Sequence, residues 1–178
     1  MTDNRLIQQL TSKNTSINKN KLPKIISGIQ KVKGWIENSR NLDLGGGKYD
    51  NVTAYLNKTF NIENIIYDPF NRSKEHNEMV GKFIEKNKVD TVTISNVLCV
   101  IRENEIKLRT LMQAYEALKP GGMVYISVYE GNKTGIGRKT GTDQWQENSI
   151  ISNYTPLVNS VFGSSQIKYN MIIAKKPD

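Results

Sequence analysis

Asn41-Leu-Asp-Leu-Gly-Gly-Gly-Lys-Tyr-Asp50 reads as a short apolar strand that breaks into three consecutive glycines and opens a helix carrying Val52, Ala54, Tyr55 and Leu56. Glycines at such a break remove side chains where backbone must approach a ligand, and they reach positive φ at little cost. Outward from this unit, strand and helix alternate. Ile62 to Tyr67 is a second buried strand, stopped by Asp68-Pro69 because proline cannot continue a central ladder. Ser73 caps a helix from Lys74 to about Lys86, with Met79, Val80, Phe83 and Ile84 on one face. Thr91 to Leu98 is the next strand, Ile106 to Leu118 a strongly periodic helix ending at Lys119-Pro-Gly-Gly122, and Met123 to Tyr129 a further strand. A short helix is expected within Leu22 to Trp35, a longer one from about Gln146 to Phe162, and strand material from Gln166 to Lys175. The alternation predicts an α/β fold: a doubly wound, mostly parallel sheet with helices on both faces.

With 178 residues, the chain has room for one compact core and not for two ordinary domains. No apolar run approaches the length of a membrane span, and Met1 to Ile7 lacks a signal-peptide core, so the expected location is cytoplasmic with no membrane partner. The single cysteine, Cys99, and single histidine, His76, give no internal disulfide and no zinc cluster; no metal is expected. The net charge of +8 is uneven: residues 1–40 carry +6, residues 41–130 carry −1 and residues 131–178 carry +3. Basic flanks around a near-neutral body suit an anionic partner at one face, with nucleic acid as the candidate. The reading divides the chain into a basic N-terminal segment, 1–40, a loop plus helix packing on or over the site, and a binding domain, 41–178.

A doubly wound sheet binds ligands outside the carboxyl ends of its strands, so Asp43 to Lys48, Asp68 to Arg72, Asn96 to Cys99 and Tyr129 to Gly131 are expected to converge. A dinucleotide fingerprint wants a third glycine where Asp50 stands, and that acid would face a pyrophosphate with like charge. A P-loop fails because Tyr49 follows Lys48. The Asp68 carboxylate suits the vicinal hydroxyls of a ribose, with Pro69 and Phe70 as an apolar wall for an adenine ring. The alternative is a plain turn in which Asn71 and Ser73 cap the next helix.

Together, Asn41 to Gly47, Asp68, Ser95-Asn-Val-Leu98 and Leu118-Lys-Pro-Gly-Gly122 resemble the four landmarks of class I S-adenosylmethionine-dependent methyltransferases, over residues 41 to about 130. The resemblance implies a Rossmann-like fold and S-adenosylmethionine as cofactor. It implies that Asp43, Leu44, Gly45, Gly46 and Gly47 lie along the methionine part, that Asp68 holds the ribose, and that Asn96 and Val97 meet the amino group or the methyl. Only 22 residues separate Asp68 from Thr91, one helix's worth, so the sheet is expected to lack one edge strand of the full fold.

Methyl transfer needs alignment and exclusion of water rather than a nucleophile on the enzyme. Where a base or orienting group is required, the candidates are Asn96 as an orienting group and Tyr129, Glu130 and Asp143, although a carboxylate placed like Glu130 at a strand end is more often a loop cap or ion-pair partner. For the methyl-acceptor substrate, the loop after Tyr129 offers Lys133, Arg138 and Lys139 for anions and Gln144 and Trp145 for a stacked ring; the alternative has Trp145 folded onto the core. A noncatalytic S-adenosylmethionine- or nucleic-acid-binding protein on the same fold is the second functional reading.

Overall fold

The computed structural model describes residues 19–178. The expected polar loop at Thr11 to Lys21 lies mostly outside them. Five helices, α1 (Lys24–Lys31), α2 (Asn51–Phe60), α3 (Lys74–Lys86), α4 (Asn104–Ala117) and α5 (Thr155–Phe162), surround a six-stranded sheet. Its strands are β1 (Arg40–Leu44), β2 (Glu63–Tyr67), β3 (Val89–Ser95), β4 (Leu118–Ser127), β7 (Gln166–Lys168) and β8 (Met171–Lys175), while β5 (Arg138–Gly141) and β6 (Gln144–Gln146) form a separate hairpin. The sheet order is β2-β1-β3-β4-β8-β7; the first four strands are parallel, β8 runs antiparallel to β4, and β7 runs antiparallel to β8. The trimmed sheet ends at β2.

Alternation along the strands sends side chains to two cores. Leu42, Leu44, Val92, Ile94, Val124 and Ile126 pack with Val80 of α3, Leu111 of α4 and Val158 of α5. On the other face Tyr125, Met171 and Ile173 pack with Ile25, Ile26 and Ile29 of α1 and Val52 and Leu56 of α2. Trp35 closes that second core, donating its indole N–H to Ile26 O at 3.1 Å. Helix α1 thus packs into the core of the sheet domain, and Pro23, just before it, lines the cavity described below.

Two expected elements differ. Lys119-Pro-Gly-Gly122 lies inside β4 as a register interruption, with Val89 opposite Leu118 and Thr91 opposite Met123. The expected helix from Gln146 begins only at Thr155, after β6 and a 3-10 turn at Ile151–Tyr154. Asn148 and Ser149 are buried and used by loops: the Asn148 amide donates to Ile136 O at 2.8 Å, and Ser149 Oγ accepts from Asn153. Pro156, tolerated in a first helical turn, marks the start instead. Among the described residues no helix is long and apolar enough to cross a membrane, and no group of three or more His, Cys, Asp or Glu could hold a metal ion.

Candidate active site

The parallel strands β1, β2, β3 and β4 end on one side of the sheet, and a cavity of about 590 Å³ opens there, within the usual range for a small-molecule site. Every residue expected at the cofactor lines it: Asp43, Leu44, Gly45, Gly46, Gly47, Asp68, Pro69, Phe70, Asn96 and Val97.

At Gly45 and Gly46 the turn leaves no room for side chains, while Gly47, which faces open space, is set apart by its φ of +75°. A Cβ on Gly45 would sit 2.4 Å from Val97 Cγ2, with φ at +75°, and one on Gly46 would sit 2.7 Å from Asp43 Oδ2. Arg72 braces the turn from outside the cavity, donating Nε to Gly47 O at 2.8 Å and Nη2 to Tyr49 O at 3.1 Å. The same guanidinium pairs with Asp50 at 2.8 Å, while α2 receives no side-chain cap. Asp50 is therefore charge-balanced, and the argument against a pyrophosphate passes from it to the two acids on the wall, Asp43 and Asp68.

Asp68 is buried and its carboxylate takes four donors. Oδ1 accepts from the backbone N–H groups of Phe70 and Asn71, both at 3.0 Å; Oδ2 accepts from Gly47 N–H at 2.9 Å and the Asn71 amide at 3.1 Å. Asp68 thus lines the cavity and also caps its own turn, while Ser73 caps the helix that follows. Asn77 of α3 clips its backbone, accepting from Asp68 N–H and donating to Asp68 O, both at 2.9 Å. His76, half-buried, has Nε2 2.7 Å from Ile66 O and serves the same strand end. Asp43 is buried too. Loss of hydration raises its pKa from 3.8 to about 6; a hydrogen bond from Thr93 opposes the rise, the Asp68 charge adds to it, and Arg72 lowers it.

The other half of the cavity is made by Ser95 to Val97, Cys99 to Ile101, the α4 residues Ile106, Thr110 and Gln113, and Tyr129 and Gln146. Asn96 adopts a left-handed conformation, φ +57°, with its N–H on Ser127 O at 2.9 Å. Tyr129 is 62% exposed and stands at the rim. Gln146 donates Nε2 to Tyr129 O at 3.0 Å and Glu147 O at 2.7 Å. Behind this wall the buried Lys107 of α4 pairs with Glu147, whose N–H donates to Cys99 O at 2.7 Å. Burial pushes the Cys99 thiol up to about 11, so it is protonated at neutral pH.

Glu130 is off the walls. Its Oε1 accepts from Ile151 N–H at 2.7 Å and its Oε2 pairs with Lys133 at 3.2 Å; the Ile151 bond foremost holds its pKa below the usual carboxylate value, the opposite of what a base requires. Lys133, Arg138, Lys139, Gln144 and Trp145 also lie outside the lining. Trp145 is half-buried, with the Arg102 guanidinium 5.3 Å from its ring centroid and its edge so close to Gly137 that a Cβ there would fall 2.1 Å away. These contacts occupy one face and one edge of the ring. Of the two amides that flank Trp145 in the sequence, Gln146 lines the cavity and Gln144 does not, and sequence reasoning missed the α4 face. Ile106, Thr110 and Gln113 follow helical spacing, the signal that could have found them.

The walls fit S-adenosylmethionine: among the described residues their charged groups are Asp43, Asp68 and Lys48, a net negative lining suited to a sulfonium and an ammonium and hostile to phosphates. Comparison with known proteins agrees. A family model described as a methyltransferase domain matches residues 11–164. No curated protein matches the sequence. Among solved structures, a Burkholderia thailandensis 1,6-didemethyltoxoflavin-N1-methyltransferase, with bound 1,6-didemethyltoxoflavin and S-adenosylhomocysteine, superimposes with a TM-score of 0.61 at 16% identity, covering 86% of this chain and 76% of that one. A T. thermophilus 16S rRNA methyltransferase in complex with AdoMet and guanosine gives 0.55 at 14%, covering 90% and 45%. A Pyrococcus furiosus methyltransferase gives 0.52 at 14%, covering 94% and 92%. Family match, strand order and site together place this chain in the methyltransferase domain family, as an S-adenosylmethionine-dependent enzyme of the class I, Rossmann-like fold.

Proposed function

We propose that the chain transfers the methyl of S-adenosylmethionine to an uncharged nitrogen of a flat heterocycle carried by a nucleic acid. The observation that carries this reading is the charge of the walls. Both acids lie on the cofactor half, Glu130 is spent on Ile151 and Lys133, and Cys99 is a neutral thiol. An acceptor that brings its own lone pair needs no base, and alignment does the rest. The bound cofactor supplies the electrophilic methyl. Asp43 and the glycine turn hold its methionine end, Asp68 takes the ribose in place of the Asn71 amide, and Pro69 and Phe70 flank the adenine. Asn96, Gln146 and Tyr129 orient the acceptor at the rim.

Two observations favour the heterocycle and the nucleic acid. The structural neighbours above hold didemethyltoxoflavin and guanosine, both flat nitrogen heterocycles. The exposed Arg138 and Lys139 of the hairpin, with Lys133 in the loop before it, add positive charge outside the cavity, where phosphates rather than a base would meet it. We assign the chain to the cytoplasm, where such acceptors abound. Labelled S-adenosylmethionine supplied with total RNA, DNA and a low-molecular-weight extract provides the test. Label in nucleic acid, falling steeply as salt rises, is expected; label confined to the small-molecule fraction overturns the polymeric acceptor.

A further inference from the structure

Behind Asp43, on the sheet face covered by α2, lies a row of polar side chains. In register, Asn41 of β1 stands between Asn64 of β2 and Thr91 of β3, and Asp43 stands opposite Thr93. All are buried, at 0% exposure for Asn41 and Thr91 and 1% for Thr93. The hydrogen bonds run in one direction. Thr91 Oγ1 donates to Asn41 Oδ1 at 2.8 Å, Asn41 Nδ2 donates to Thr93 Oγ1 at 3.0 Å, and Thr93 Oγ1 donates to Asp43 Oδ1 at 2.9 Å. The second Asn41 amide hydrogen goes to Asn64 Oδ1 at 2.7 Å, and Asn64 donates to Thr53 of α2 at 2.9 Å. These bonds fix which way the Asn41 amide faces. Reversed, it would ask Thr93 for the proton that Thr93 gives to Asp43.

We infer that Asn41 and Thr93 are positioning residues for the cofactor: their donor chain holds Asp43 in its direction and in its charged form, and so sets how cofactor affinity varies with pH. The inference rests on Asp43 belonging to the cofactor half of the site. Aligned donors polarise one another, and a chain that ends on a carboxylate favours the anion. Two charged groups also act on that carboxylate, and a third is paired with one of them. Asp68, at the end of β2, opposes ionisation; Arg72, in the following turn, favours it; Asp50, at the start of α2, is paired with Arg72. The β3 side offers only the Thr93 hydroxyl. Because burial holds the Asp43 carboxyl near 6, its ionisation falls within reach of experiment.

The test is calorimetric binding of S-adenosylhomocysteine, whose amino group is cationic, between pH 5 and 8.5. Wild-type affinity should rise with pH through about 6, the value burial gives Asp43. Thr93→Val keeps the shape and removes the donor; the midpoint should move up by roughly one pH unit, the scale of one hydrogen bond to a charged group. At pH 6 that leaves binding about fivefold weaker than wild type, and at pH 8.5 the two agree, since Asp43 is then ionised in both. Thr93→Ser should restore the wild-type profile. A Thr93→Val deficit equal at every pH, or an unmoved midpoint, overturns the inference. Asp43→Asn should flatten the profile; if it binds as wild type across the range, the placement of Asp43 in the cofactor half fails instead.

Discussion

The two halves of the cavity are built differently. The cofactor half is mostly backbone: Gly45, Gly46, Gly47 and the turn after β2, braced by Arg72, Asp68 and Asn77, all within one β-α-β-α stretch of chain. The acceptor half is mostly side chains from distant places, with Ile106, Thr110 and Gln113 from α4 meeting Gln146 from β6. Backbone turns demand particular residues at particular positions. A side-chain wall can change its lining while the frame behind it stays, which is how one fold serves many acceptors.

The contrast is sharpened by changes that strike one half and spare the other. The largest effect is expected behind the acceptor wall, where Lys107→Met leaves the part-buried Glu147 without its partner and should cost about 3 kcal/mol in urea unfolding, the low end for breaking a buried pair. A Lys107→Met, Glu147→Leu double variant should recover much of the loss. Next comes Asp43→Asn. The Asp43 pKa is raised on folding from 3.8 to about 6, so the folded state holds a proton that the unfolded chain releases; stability falls as pH climbs between those values and stays reduced above them. The variant should therefore match wild type at pH 3.5 and exceed it by about 2–3 kcal/mol at pH 7.5, measured by denaturant melts. The same substitution weakens cofactor binding, so stability and function part company at this residue. Asp68→Ala should weaken S-adenosylhomocysteine binding by about 1.5–3 kcal/mol in calorimetry. Unchanged affinity would remove it from the cofactor half. The smallest effect is expected at Glu130→Gln, which keeps an acceptor for Ile151 N–H: turnover within about twofold of wild type, and less than about 1 kcal/mol in stability. A loss of 100-fold would restore Glu130 as the base.

The same contrast explains what the sequence made legible. The glycine turn, Asp68 and the helix from Lys74 to Lys86 are local patterns whose physics is complete within a few residues, and the structure has them where periodicity and capping put them. The acceptor half depends on packing between parts of the chain some forty residues apart, such as Lys107 with Glu147, and no local pattern announces it. The helix expected from Gln146 failed for a related reason: Asn148 and Ser149 are committed to hydrogen bonds with Ile136 and Asn153. The donor chain lay in plain view as alternation. Asn41 and Asp43 alternate with Leu42 and Leu44, and Thr91 and Thr93 with Val92 and Ile94, a pattern usually read as one wet sheet face. Here both faces are covered by helices, so the polar face serves a site rather than solvent.

The Lys107–Glu147 pair carries a practical consequence for any assay of this enzyme. Mobile ions screen exposed charges across about 10 Å at 0.1 M but scarcely reach a lysine that is 3% exposed. Raising ionic strength should strip a polyanion from Lys133, Arg138 and Lys139 and leave the wall behind Gln146 standing. A salt titration can thus separate release of substrate from loss of shape within a single sample.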